Sequence, residues 1–477
     1  MEDSLYRAPK IQIIDSMSIR SSHIILLFFA LLPSVGDLGA QSNTGDVLIK
    51  HGTLLTVTRG TLEETDLLIR DGKIQAIGKD LRVPEGYRVI DATGLYVMPG
   101  IIDAHSHIAV ESINEMSNPV TAELRMSDAI NPLDISIYRA LAGGVTSIQA
   151  LHGSANPVGG ESVIMKLRYG TLDPEELIFK GAPRAIKLAL GENPTRIHGV
   201  GHSIVPRTRM GVEFVIRQAF SEAKEYREQW DRYNALKKQR GFSGAPPAFS
   251  LRMETLAEVL RGNIAIHCHS YRADEMIMLM QVCRDFGIKR LVFQHANEGF
   301  KVAPEIAAFG AMVSVFSDAW AYKFEVYYST AYNAAILTRN GVLTSINSDD
   351  PGVIRHLYHE ASKTLKYGDL SEDEALALIT INPAKQLGID DRVGSLEIGK
   401  DGDVAIFKEH PLSIYTVPQL TLVDGIVRFD RENDPYDMRI YVDPEEMFDN
   451  TCFKAPDNRA SCMHGGWSDF ENLFGKH

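Results

Sequence analysis

Between Gly100 and Asp350 eight short apolar runs recur, separated by stretches with helical spacing or turn residues. They read GIIDAHSHI, VTSIQAL, SVIMKLR, RAIKLAL, GNIAIHCHS, RLVFQHA, AMVSVFS and VLTSINSDD. Continuous apolar runs of this length suit strands buried on both faces, and their alternation with helical patterns marks a parallel α/β architecture. Eight such strands close a (β/α)8 TIM barrel, which takes roughly 250 residues. The 477 residues of this chain leave room for a smaller domain beside it.

The flanks supply that domain. From Asp46 to Met98, and again from Gly394 to Arg428, short apolar stretches are broken by Asp-Gly turns such as Asp71-Gly72 and Asp424-Gly425, a strong hairpin signal. The economical reading is one small β-sandwich domain built from both chain ends, residues 45–98 and 390–432, with the barrel, 99–389, inserted between them. Residues 433–477 form a C-terminal extension.

Ahead of these, Ile24 to Leu32 reads IILLFFALL, too short to span a bilayer but suited to the core of a signal peptide. Arg20 precedes it and Gly39-Ala40 offers a cleavage site, so residues 1–40 are expected to be a signal peptide, with Met17 a candidate start and a noncleaved anchor the alternative. The expected location is secreted or periplasmic, with no stable membrane association after cleavage. The four cysteines are too few for a disulfide-built fold; Cys452 and Cys462 are close enough in sequence to close a small loop in an exported protein. A net charge of -13, with no long Lys/Arg cluster, excludes nucleic acid as a partner. The mixed-sign run Ser221 to Arg240 reads as a solvated helix face.

The chemistry sits at the ends of the apolar runs, the face on which barrel active sites form. In a strand, residues i and i+2 share a side, so His105 and His107 project into one mouth, as do His267 and His269. His295 ends the next run, and Asp349 and Asp350 end the last before Pro351-Gly352. Each alone has a bland reading: hydrogen-bonded histidines, or turn aspartates. Four such clusters, all at strand ends, are hard to explain that way together. Cys268 alternates away from its histidine neighbours and reads as core.

The stretches VMPGIIDAHSHI, IHCHSYRADEM, LVFQHANEGF, NSDDPG and LITINPAKQLGIDDRVGSLEIGKDGDVAIFK resemble the amidohydrolase superfamily over roughly Asp46 to Arg431, nearest its imidazolonepropionase-like and dipeptidase-like members. The resemblance implies a metal-carrying barrel and hydrolysis of an amide-type C–N bond in a dipeptide, cyclic amide, imidazolone or N-acyl compound. It implies His105, His107, His267, His295 and Asp349 as metal ligands, with Asp349 also the catalytic acid–base. Zn²⁺, as one or two ions, is the implied cofactor, lowering the pKa of a bound water towards roughly 7; another divalent metal is the alternative. A bridging, carboxylated lysine would be Lys187, whose apolar neighbours suit a depressed pKa, with Lys180 and Glu161 competing.

The partner is then a small-molecule substrate. Arg209, His269, Tyr271 and Arg272 are the candidates to bind it, with Arg207 near Arg209; an arginine there could fork onto a carboxylate. Asp350 is a second choice for orienting ligands. Rival readings are a lactone or phosphoester hydrolase on the same site, separable by substrate panel, and a non-catalytic binding protein of the same fold, separable by metal bound without turnover. The oligomeric state is open, a homo-oligomer included.

Overall fold

The computed structural model describes residues 45–319, 322–434 and 439. The expected signal peptide, nearly all of the C-terminal extension and the Cys452–Cys462 pair lie outside the described residues. Strands β1 (Val47–Leu55), β2 (Thr61–Arg70), β3 (Lys73–Gly78), β4 (Arg88–Asp91) and β5 (Tyr96–Pro99) come first. The array that follows is β6 (Ile101–Ser106), β7 (Val145–Ala150), β8 (Val158–Glu161), β9 (Val163–Lys166), β10 (Arg184–Ala189), β11 (Ile264–Ser270), β12 (Leu291–His295), β13 (Met312–Val315) and β14 (Thr344–Ile346). Then β15 (Val404–Phe407), β16 (Pro418–Val423) and β17 (Ile426–Asp430) return to the first group, giving one eight-stranded sheet of order β17-β16-β15-β5-β1-β2-β3, with β4 on β1.

The two chain ends meet in that sheet because β15 pairs antiparallel with β5, Ile406 opposite Val97. A buried ion cluster fastens it to the array. Lys166, at the end of β9, donates to Asp401 (2.8 Å), Asp403 (3.1 Å) and Asp424 (2.5 Å), and Arg392, Lys73 and Arg168 hold the outer carboxylate oxygens.

All eight apolar runs form strands, but they do not all run the same way. Strands β10 to β14 are parallel neighbours, as are β6 and β7. The third run, which starts at Ser162, instead forms β9 antiparallel to β7, and β8, a short strand ahead of it outside the eight runs, is antiparallel to β10. The reason is what joins them. A parallel neighbour needs a crossover, usually a helix, and residues 151–162 between β7 and β9 hold only the short strand β8 and no helix. Further on, crossover helices are cut to length by left-handed caps: Gly262 (φ 84°) ends Leu251–Arg261 just before β11, and Gly310 (φ 82°) ends Ala303–Phe309 just before β13. Such a φ is easy only for glycine.

The last strand meets the first through side chains and loop backbone. Asp349 N–H donates to the His105 carbonyl (3.1 Å). Buried Asp103 on β6 accepts from the backbone N–H of Ser348 (3.2 Å) and from its hydroxyl. The mixed-sign run lies, but for its last three residues, in the helix Arg209–Lys237, whose polar face is exposed while Val212, Ile216, Ala219, Phe220 and Ala223 pack inward.

Candidate metal centre

His105 and His107 leave the end of β6, His295 is the last residue of β12, and Asp349 follows β14. His295 (φ 69°) and Asp349 (φ 52°) both adopt left-handed backbone, uncommon for non-glycine residues and typical of functional sites. His105, His295 and Asp349 bring ligand atoms within 4.8 Å of one another, all three buried. Asp349 Oδ1 lies 3.3 Å from His105 Nε2 and 3.1 Å from His107 Nε2, and Oδ2 lies 3.7 Å from His295 Nε2.

The protons in this cluster are fixed from outside. Nδ1 of His107 faces the Leu151 carbonyl at 2.9 Å, and a carbonyl only accepts, so that nitrogen carries the proton and Nε2 is the free ligand atom. Nδ1 of His105 is 3.1 Å from Gln294 Oε1, which leaves its Nε2 bare. Burial, helped by the Lys187 ammonium, pushes the His105 pKa down to about 4, so the ring is neutral. Burial alone would raise Asp349, but His105 and His295 more than offset it and hold the carboxyl well below its ordinary range. The Asp349 carboxylate thus stands between the Nε2 atoms of His105 and His107, where an ion would also be reached. Both ring nitrogens of His295, both of His269, and Asp349 Oδ2 are buried without a hydrogen-bond partner. Buried orphan acceptors of this kind are costly unless a cation lies among them, so the donor set fits a divalent ion.

The remaining sequence candidates separate into two groups. Lys187 is fully buried on β10, 3.4 Å from His105 Nε2, donating to the His152 carbonyl (3.2 Å), and burial lowers its pKa to about 8. Its rivals are elsewhere: Glu161 is engaged by Arg184 (2.8 Å) and Lys180 is exposed. His269 sits beside His295, ring centroids 4.9 Å apart, and Tyr271 meets the His269 ring edge-on at 4.4 Å, its hydroxyl 3.0 Å from that of Tyr322. His267 lies one step lower on β11, opposite Lys187 rather than near His295, with Nδ1 taken by Gln294 (3.0 Å). Both strand-mates border the cluster, His269 beside His295 and His267 beside Lys187.

Three arginines are occupied away from the centre. Arg272 forks onto Asp274 (3.0 Å), Arg209 is shared between Glu275 (2.9 Å) and Glu325, and Arg207 donates to the Ser203 carbonyl. Cys268 is buried in the core with a free thiol, as its alternation implies. Asp350 caps the following turn through Gly352 and Val353.

A family model described as the amidohydrolase family matches residues 96–430. The chain belongs to the amidohydrolase family. Among its relatives, the amidohydrolase tasK of Hapsidospora irregularis is 30% identical over 430 residues, 84% of this chain and 42% of the relative. A dihydroorotase of Geobacter sulfurreducens is 33% identical over 133 residues, 28% of each chain. A solved amidohydrolase of Thermotoga maritima MSB8 shares 34% identity with a TM-score of 0.74, covering 81% of this chain and all of that one. The chain thus spans less than half the length of those two curated relatives.

Four residues of this amidohydrolase centre lie outside the sequence candidates: Gln294, Asp103, Phe316 and Lys323. Phe316 stacks on His295 at 4.5 Å, and Lys323 sits 4.2 Å from the Tyr271 ring while donating to Asn193. Only the residue before His295 offered a hint, a polar side chain at a strand position facing inward.

Acid should destabilise the metal-free protein. Burial lowers His105, His152 and His198 to about 4, His267 to about 3, and His269 and His295 well below their ordinary value. With folded pKa values below the unfolded 6.5, the unfolded chain takes up protons first, so stability falls as pH drops from about 6.5 towards 4. Asp103 and Glu275, raised to about 7 by burial, and Asp403, raised to about 6, act in the opposite sense over much of that range, but the histidines outnumber them. The melting temperature of the apoprotein is therefore expected to fall between pH 6.5 and 4.5; a rise over that interval would contradict the buried neutral histidines.

Proposed function

We infer that this chain is a metal-dependent hydrolase that cleaves an amide-type C–N bond in a small molecule, on a distorted (β/α)8 barrel whose third strand is reversed, beside a small β domain made from both chain ends. The observation that carries the reading is the buried Asp349 carboxylate between the Nε2 atoms of His105 and His107, with His295 and His269 adding unpartnered nitrogens.

His105, His107, His295 and Asp349, with His267 or His269 from β11, would hold the ion, with zinc the first expectation for an imidazole and carboxylate set. A divalent ion there supplies Lewis acidity towards a carbonyl oxygen and makes a water molecule acidic at neutral pH. Asp349 takes a proton from the attacking water and returns it to the departing nitrogen, which leaves as a neutral amine. Lys187, with a pKa of about 8, keeps a fraction of neutral amine able to take up CO₂ and offer a second carboxylate. Tyr271 borders the cluster and orients the substrate.

Relatives named D-hydantoinase, dihydroorotase and dihydropyrimidinase favour cyclic amides among the substrates, beside dipeptides and N-acyl amino acids. The apolar run Ile24 to Leu32 supports export of the enzyme. The test is metal analysis of the purified protein together with a panel of cyclic amides, dipeptides, N-acyl amino acids, lactones and phosphoesters. Near-stoichiometric metal with turnover of a C–N substrate is expected. Full activity in metal-free protein, or turnover of lactones or phosphoesters alone, would sink the reading.

A further inference from the structure

Lys323, between β13 and β14, brings a positive charge to the edge of the metal centre, and its side chain is only 14% exposed. The ammonium lies 4.2 Å from the centroid of the Tyr271 ring and 5.8 Å from that of Tyr322, and it donates to the neutral side-chain amide of Asn193 at 2.9 Å. The Tyr271 ring is in turn 4.4 Å from the ring of His269 and 5.6 Å from that of His295. One aromatic ring therefore separates this cation from the histidines. Among the described residues its nearest carboxylate is Glu192 at 3.7 Å, beyond hydrogen-bond reach and already shared with Arg196 at 3.3 Å. Arg209 and Arg272 differ, since each is bonded directly to a carboxylate, Glu275 at 2.9 Å and Asp274 at 3.0 Å.

An ammonium has three N–H donors, and Asn193 takes one. Burying such a charge costs several kcal/mol, which an aromatic face and one neutral acceptor offset only in part. The position is nonetheless held firmly. The backbone N–H of Glu192 donates to Glu325 at 3.0 Å, and Glu325 also takes Arg209, so the loop carrying Asn193 and the segment carrying Lys323 are tied together. A fixed, incompletely answered cation beside a hydrolytic centre suits an anionic part of the substrate. When the scissile carbonyl is at the ion, a carboxylate on the carbon attached to the departing nitrogen lies two bonds beyond that nitrogen. We propose that Lys323 receives this carboxylate across the Tyr271 ring, so that the substrates are anionic amides: N-acyl amino acids, dipeptides, or cyclic amides bearing a carboxylate next to the ring nitrogen. The proposal rests on the hydrolase reading of the metal centre.

The experiment uses the full-length protein loaded with Zn²⁺ and compounds paired so that they differ only in charge. N-acyl amino acids and dipeptides are each compared with their C-terminal carboxamides, by kcat/KM and by calorimetric binding. The wild type is expected to favour the carboxylate member about 10- to 100-fold, the range for a hydrogen bond to a charged group. Lys323→Met should lose that preference by falling on the carboxylates alone, and Lys323→Arg should keep most of it. Lys323→Gln, which can still donate to Asn193, repeats the test should Lys323→Met not fold. A wild type indifferent to the charge, or without binding or turnover of any carboxylate, would overturn the proposal. So would variants that weaken both members equally, as a purely structural lysine would, or that leave the preference intact, as a carboxylate bound to the ion would. Binding needs no turnover: carboxylates bound through Lys323 but never hydrolysed would end the hydrolase reading and leave the anion site standing, whereas hydrolysis confined to uncharged amides would do the reverse.

Discussion

Asp349→Asn is expected to lower kcat by roughly 100- to 10,000-fold, the usual loss on removing a general acid–base group, and to leave the purified protein largely free of metal. The substitution keeps the size of the side chain and one oxygen, so the loss would report charge and proton transfer rather than packing. It also predicts a trade. In the wild type a buried carboxylate charge lies 3.3 Å from His105 Nε2 with one oxygen unpartnered. The neutral amide removes that buried charge and can still pair with the ring without an ion. The metal-free variant should therefore melt no lower than the metal-free wild type, in keeping with the general cost of functional sites in stability. Metal content by elemental analysis, kcat and the apoprotein melting temperature test this together. Unchanged activity would remove Asp349 from the chemistry, and a large loss of apoprotein stability would make it a structural residue instead.

The second large effect lies far from the metal centre. Lys166→Met should destabilise the fold by about 3–5 kcal/mol, the cost of removing one partner from a buried ion pair and leaving the other charged. Lys166 is fully buried and holds Asp401, Asp403 and Asp424 together. The three carboxylates are not equally exposed to its loss. Asp401 keeps Arg392 and Lys73, and Asp424 keeps Arg168. Asp403 keeps only the backbone N–H of Asp424, has a buried oxygen without a partner, and is raised to about 6, chiefly by burial. Adding Asp403→Asn to the lysine variant should recover part of the loss. Denaturant midpoints with unchanged m-values would measure both steps; equal stability of wild type and Lys166→Met would mean that the cluster does not fasten the two-ended sheet to the array.

Much of the fold was legible because burial on both faces leaves a continuous apolar run, and each of the eight runs became a strand. The reversal of the third was also written in the chain, in the helix-free stretch from Leu151 to Ser162, but it emerges only when the kind of connection is weighed against strand direction. The pairing of the two chain ends rests on contacts such as Ile406 with Val97, which sequence separation conceals.

For the metal centre, the sequence by itself determined the chemistry. The histidines and Asp349 stand at strand ends, and alternation in a strand puts residues two apart on one face. Alternation could not rank His267 against His269, because two positions on one face are equivalent until the neighbouring strand is in register. Two residues of strand are about 6.6 Å of height, and the register that sets Ser270 against His295 puts His269 beside the His295 ring and His267 beside Lys187 and Gln294. The arginines tell the same story: their charge is visible in the sequence, but the carboxylates of Glu275 and Glu325 that occupy Arg209 come from distant segments. Which residue types could bind a metal was a property of the chain. Which atoms are free to do so was decided by the tertiary structure, because a lone pair is available only where no neighbouring strand has already placed a donor against it.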